Sequence, residues 1–173
     1  VVLTDPRPDV GLPTATARAA LPPGVVSWPE PVAAEEVPAP LDGFRTLFAA
    51  LHHLPPERAT LAVAATVGRG RGIAGFEMTH RSVRGVFGML TTPLAVAVVT
   101  PFVRPFSWLR LVFTYVVPAI PLAATFDGVV SCLRTYTPGE LLAMARRADP
   151  VGRYAWEAGE VGAVLPFFTP VTY

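Results

Sequence analysis

A chain of 173 residues is long enough for one domain with a sizeable core, since domains cluster at roughly 100–150 residues. Fourteen basic residues, all Arg, stand against thirteen acidic ones, and the formal charge of +1 is spread along the chain. There is no basic patch to neutralise a phosphate backbone, which argues against nucleic acid as a partner. The single cysteine, Cys132, excludes an intrachain disulfide framework and fits a reducing compartment.

In chain order, residues 1–3 of "VVLTD" read as a buried strand already under way, so a part upstream of Val1 is expected, and the strand ends at Asp5. A short helix is predicted over residues 14–21, then a Pro22-Pro23-Gly24 turn and a second strand over 25–28. Residues 29–40, rich in Pro, Ala and Glu, read as a loop. Residues 44–51 form a third strand that is apolar on both faces, as in a parallel sheet covered on both sides. Pro55-Pro56-Glu57 opens a helix that runs to Val67 and stops at Gly68. Residues 73–77 make a fourth strand. Thr137 with Glu140 three residues later is a capping box, with Pro138 at the first helical position and Arg146 and Arg147 in the last turn. Closing strands are predicted over 154–157 and 171–173.

Strands alternating with helices predict an α/β fold: a Rossmann-like, mostly parallel sheet with helices on both faces, right-handed crossovers, and an apolar helical insertion. Ligands bind such sheets outside the carboxyl ends of the strands. Asp5, Trp28 with the loop after it, His52 and His53, and Glu77 all fall at those ends. An acidic strand end can hold both hydroxyls of a ribose, an aromatic loop can cover a purine, and a histidine can act as a base near neutral pH. One histidine is expected to face the site and the other to pack. Gly70-Arg71-Gly72-Ile73-Ala74-Gly75 satisfies G-x-G-x-x-G, but it follows a helix and opens a strand, the reverse of a phosphate cradle. Cys132 reads as a small buried hydrophobe, and the three histidines give no metal-ligand spacing.

"ALHHLPPERATLAVAATVGRGRGIAGFEM" resembles the fourth strand, helix and fifth strand of class I S-adenosylmethionine-dependent methyltransferases, and with "VVLTD" and "TYTPGELLAMA" the resemblance covers most of the chain as a single, partial domain. It implies that Asp5 holds the cofactor ribose, that residues 32–35 border the adenine, and that His52 and His53 lie near the methyl group. Two departures stand out. The family's glycine-rich loop after the first strand is absent, so these residues alone are expected to bind S-adenosylmethionine feebly. Where the family often places an Asp for the adenine amino group, Ala33 or Ala34 stands, with Glu35 as the substitute. The implied activity is methyl transfer to a small apolar acceptor, with His52 or His53 as base and Glu77 orienting base or acceptor. The rival is a non-catalytic membrane-associated or ligand-binding protein on a degenerate methyltransferase fold. A cytoplasmic location, peripheral to the inner face of the membrane, and a homodimer are further expectations.

The insertion, residues 86–126, explains the mean hydropathy of +0.45. Nineteen residues from Gly85 to Val103 carry no charge, nor do sixteen from Leu111 to Phe126. Length alone brings the first run close to the ~20 residues of a membrane span, but five prolines interrupt the two runs and the turn between them. Three arrangements compete: a hairpin dipping into one leaflet, a pair of spans, and a lid over an apolar substrate. The prediction is two helical pieces broken near residues 104–107, with Arg104, Trp108 and Arg110 at an interfacial turn, and not two full spans.

Overall fold

A computed structural model of the chain describes residues 1–6, 21–162 and 171–173. The helix predicted over residues 14–21 lies, but for Leu21, outside them. The described elements are β1 (Val2–Leu3), β2 (Val26–Ser27), β3 (Arg45–Phe48), α1 (Pro56–Gly68), β4 (Ile73–Phe76), α2 (Val83–Met89), α3 (Thr92–Val99), α4 (Trp108–Leu111), α5 (Ala119–Arg134), α6 (Pro138–Ala148), β5 (Glu160–Val161) and β6 (Val171–Thr172).

The fold is mixed α/β with short parallel pairings. β1 runs parallel to β2, with Val2 opposite Val26, and β3 runs parallel to β4, with Arg45 opposite Ile73 and Phe48 opposite Phe76. Thr172 of β6 exchanges two backbone hydrogen bonds with Glu77, while Tyr173 exchanges two with Gly159. β6 thus lies between β4 and β5, antiparallel to both. One continuous sheet is not formed among the described residues, because no strand pairing joins β1–β2 to β3–β4.

Helix α1 starts where Pro55 in an extended conformation is followed by Pro56, which needs no N–H partner in a first turn, and Glu57 complements the helix dipole. The chain leaves it through Gly70 at φ 68°, a left-handed position that glycine occupies without steric cost, and Ile73 then starts β4. The G-x-G-x-x-G run is therefore the turn from helix to strand. Ala59 and Ala62 are fully buried, so α1 approaches its neighbours closely. Its main neighbour is α6, whose capping box forms as expected, with Glu140 N–H donating to the Thr137 hydroxyl and the Thr137 N–H donating to the Glu140 carboxylate. Leu51, Ala59, Tyr136 and Met144 form the core, with Leu47, Leu54 and Leu141 around them.

Among the described residues, helices on both faces of the sheet are not found for β3–β4. Leu47 faces the α1–α6 layer, but period-2 alternation turns Phe44 and Phe48 to the other side, where they are 70% and 72% exposed. Phe48 stacks on Phe76 there, with ring centroids 5.3 Å apart. Residues 154–157 are also not a strand. The Asp149 carboxylate accepts the backbone N–H of Arg153 and Tyr154 and the indole N–H of Trp156, which holds the segment as a loop and delays the closing strand to β5.

Candidate functional site

The third strand pairs only to Phe48, three residues short of the sequence expectation. Ala49 still donates its N–H to the Phe76 carbonyl at 2.8 Å, but its own φ is 46°, the left-handed region that non-glycine residues rarely enter. That reversal sends the chain into a 3₁₀ turn, Leu51–His53, which doubles back over the end of β4. Glu77 is the next residue after β4 and is fully buried. Its Oε1 accepts the Leu51 N–H at 2.7 Å and its Oε2 receives Nδ1 of His52 at 2.5 Å.

A buried carboxyl group without partners is expensive, and this one has two donors from one turn. A carboxylate oxygen can only accept, so Nδ1 of His52 carries the proton and Nε2 presents its lone pair. His52 is 5% exposed, whereas His53 is exposed, with ring centroids 4.1 Å apart and planes tilted by 39°. Desolvation of the packed side of the His53 ring, then the neighbouring His52, pulls its pKa below the ordinary value, with Asp127 and Glu77 opposing. The single turn therefore provides one anchored imidazole and one at the surface.

Groups far along the chain hold the turn from behind. Tyr136 donates its hydroxyl to the Leu54 carbonyl at 2.6 Å, and Arg134 reaches the His53 carbonyl at 3.3 Å. Sequence reading missed Arg134, Tyr136 and the Leu51 N–H, because their partners lie 81, 82 and 26 residues away and leave no local signal. His80, the third histidine, pairs through Nε2 with Glu160 at 2.8 Å. Cys132 is buried, and burial raises its thiol pKa.

The four candidates for cofactor contact sit on the β1–β2 half. Asp5 follows β1, and its carbonyl accepts the N–H of buried Val32 at 3.0 Å. Trp28 follows β2 with its N–H on the Leu3 carbonyl, and its indole Nε1 is buried without a partner among the described residues. The Ala33 carbonyl closes a turn by accepting the Glu36 N–H. Glu35 pairs through Oε1 with Arg58 of α1, and its Oε2 is buried without a partner among the described residues. Arg45 on β3 bridges the halves, donating to the Ala34 carbonyl at 3.4 Å and to the Thr66 hydroxyl at 2.9 Å. The structure thus gathers His52, His53 and Glu77 into one rim, and places Asp5, Trp28, Ala33 and Glu35 around a second strand pair.

Comparison with protein-family models, curated proteins and solved structures finds no match to this chain. What the site can do therefore rests on its geometry. An apolar cavity of about 180 Å³ touches Leu47, Leu51, Val63, Leu141 and Trp156, but neither His52 nor Glu77 lines it. It lies in the layer between strands and helices, and it is smaller than the roughly 300 Å³ at which ligand pockets begin. The rim is the better candidate.

Proposed function

We propose that the protein is an S-adenosylmethionine-dependent methyltransferase unit in which His52 is the base for a small apolar acceptor. The observation that carries this is the buried Glu77 carboxylate, which fixes His52 at the carboxyl ends of two adjacent parallel strands.

Strand placement supports the reading. In the doubly wound order 3-2-1-4-5-6, strands 2 and 3 pair, strands 4 and 5 pair, and strand 1 lies between the pairs. Two parallel pairs, β1–β2 and β3–β4, with no pairing across them among the described residues, correspond to the two outer pairs of that order. The cofactor residues fit in part. Trp28 offers a buried donor and Glu35 a buried acceptor, both lacking partners among the described residues, and an adenine edge presents the complementary acceptor and amino donor. Asp5 at the end of β1 is the ribose ligand in this reading. Ala33 contributes backbone only.

Bound across those residues, S-adenosylmethionine supplies a methyl carbon on a positively charged sulfur. His52 Nε2 takes the proton that the acceptor gives up, and Glu77 holds the ring in the productive tautomer and offsets the charge that develops on it. His53 lines the surface side of the turn. Glu77 acts through His52 and is a positioning residue.

Transfer from radiolabelled S-adenosylmethionine to a lipid-soluble extract, catalysed by the full-length protein, is the test. His52→Gln is expected to lower the rate by roughly 10²–10⁴-fold, the usual worth of a general base, while His53→Gln retains it. Full activity of folded His52→Gln, or no cofactor binding by the full-length protein in calorimetry, overturns the reading.

A further inference from the structure

The helical hairpin over residues 83–126 has its charges sorted along its length. Arg81, Arg84 and Arg134 stand at the root and Arg104 and Arg110 at the turn, and the two legs between them carry none up to Asp127. The outgoing leg, Val83–Phe102, is built of α2, a turn at residues 90–91, α3 and a closing 3₁₀ turn, together 20 residues, long and apolar enough to cross a membrane by length and composition. The returning leg, Trp108–Val116 and Ala119–Arg134, is bent by 73° at its break.

Apolar exposure is not confined to one stripe. Leu94 and Val99 are both exposed yet lie about 140° apart around a helix of 3.6 residues per turn. Phe102, Trp108, Leu122 and Phe126 extend the same surface over the turn and the returning leg. A protein partner covers a stripe, whereas a helix that is apolar all round suits a core or a lipid environment.

Several polar atoms of the hairpin find their partners within it. The hydroxyls of Thr100, Thr114 and Thr125 donate to the carbonyls of Val96, Arg110 and Pro121 at 2.7–2.8 Å. Pro101 has no N–H, which leaves the Ala97 carbonyl without its helical donor, and the Tyr115 hydroxyl of the other leg fills it. Water would supply such partners at no cost. A hydrocarbon medium cannot, and there backbone groups must be satisfied within the protein.

From these features we infer that the hairpin is embedded in the hydrocarbon layer of a lipid bilayer, entering from the side of the β3–β4 rim. The occupant of its apolar surface is lipid, not a second copy of the chain. Arg104 and Arg110 extend to headgroups, whose anionic members they complement, and Trp108 sits at the boundary. Arg134 at the root also holds the His53 carbonyl, so embedding brings the rim to the membrane surface. If the methyl-transfer reading holds, the acceptor is drawn from the bilayer.

The experiment needs no activity. The chain has three tryptophans, so Trp28→Phe with Trp156→Phe in this chain leaves Trp108 as the reporter. With mixed phosphatidylcholine and phosphatidylglycerol vesicles, the protein is expected to float in a density gradient and to remain bound in high salt. Trp108 fluorescence should shift to the blue and be quenched several-fold by acyl-chain-brominated lipid. Leu94→Asp with Leu122→Asp should abolish flotation while circular dichroism is unchanged. A protein that stays unbound as a monomer or dimer, or a Trp108 quenched by aqueous acrylamide but not by brominated lipid, overturns the proposal. Vesicle binding by the unsubstituted protein without methyl transfer leaves the embedding intact and counts against the catalytic reading alone.

Discussion

Glu77 and His52 meet at 2.5 Å, Oε2 to Nδ1, across the ends of two parallel strands, and neither side chain is open to solvent. Removing the carboxyl group leaves two buried donors, His52 Nδ1–H and Leu51 N–H, without acceptors. Glu77→Ala is expected to destabilise the fold by about 3–5 kcal/mol, the cost of deleting one partner of a buried pair, as a drop in thermal midpoint. Glu77→Gln separates fold from chemistry. Its amide oxygen serves one donor, and its NH₂ faces the other and drives His52 to the opposite tautomer. Stability should fall less than for Glu77→Ala, while methyl transfer falls with His52 still present. Equal stability losses for the two variants would count against the assigned hydrogen bonds.

Ala49 gives a prediction of opposite sign. Replacing an alanine by glycine in regular structure costs roughly 0.5–1 kcal/mol, but a left-handed conformation costs a non-glycine residue about 1–2 kcal/mol. At φ 46° the second cost applies, so Ala49→Gly is expected to be neutral or stabilising by up to about 1 kcal/mol. Ala62→Gly in buried α1 should destabilise instead. Denaturant midpoints of the two variants decide the matter, and a destabilised Ala49→Gly would mean that the turn into Leu51–His53 is not strained.

The sequence made legible those parts of the fold that local rules determine. The Pro55-Pro56-Glu57 start of α1, the capping box of α6 and the parallel neighbours β3 and β4 follow from proline geometry, N-cap chemistry and strand alternation. The residue types of the rim were also legible, because strand ends are where polar groups stand out from apolar runs. Hidden were the contacts set by tertiary closure: which histidine is buried, the Leu51 N–H on Glu77, and the clamp by Arg134 and Tyr136. Residues 154–157 misled because Tyr154 and Trp156 alternate like a strand, while Asp149, a few residues earlier, captures their donors. The open Phe44 and Phe48 face has no sequence signature, since an apolar strand reads alike whether one face is covered or both.

Gly128 of α5 sets how closely α2 packs at the root of the hairpin. A Cβ built there would come within 2.7 Å of the Met89 sulfur and 3.2 Å of the Met89 Cγ, so the Met89 side chain must shift to admit it. Gly128→Val is expected to push the helices apart and cost about 1–3 kcal/mol, in the range of overpacked cores. Gly88→Ala, one residue before the end of α2, meets nothing within 4 Å and should be tolerated. Thermal unfolding of the two variants tests the contact, and equal behaviour would refute it.

Glu140 predicts how the protein responds to acid. Its carboxyl group accepts from Arg81 and from the Thr137 N–H and hydroxyl, and the Arg81 hydrogen bond, followed by the Thr137 N–H, lowers its pKa to about 2. The folded value lies below the unfolded one, so the group adds stability that is fully present above about pH 4.5, the ordinary value, and is lost as pH falls toward 2. The side chain is 43% exposed, and solvent screening keeps the ion-pair share small. The capping share is the larger one, and losing a cap costs about 0.5–2 kcal/mol. Glu140→Gln keeps a capping acceptor but removes the titration. It is therefore expected to lower stability modestly at pH 7 and to flatten the fall between pH 4.5 and 2, so that the two proteins converge in acid. Arg81→Ala, which leaves the capping box intact, should flatten the fall only in part. Urea midpoints measured across that pH range would give the two curves, and a gap that persists unchanged at the acid end would show that Glu140 stabilises the α6 start by something other than its charge.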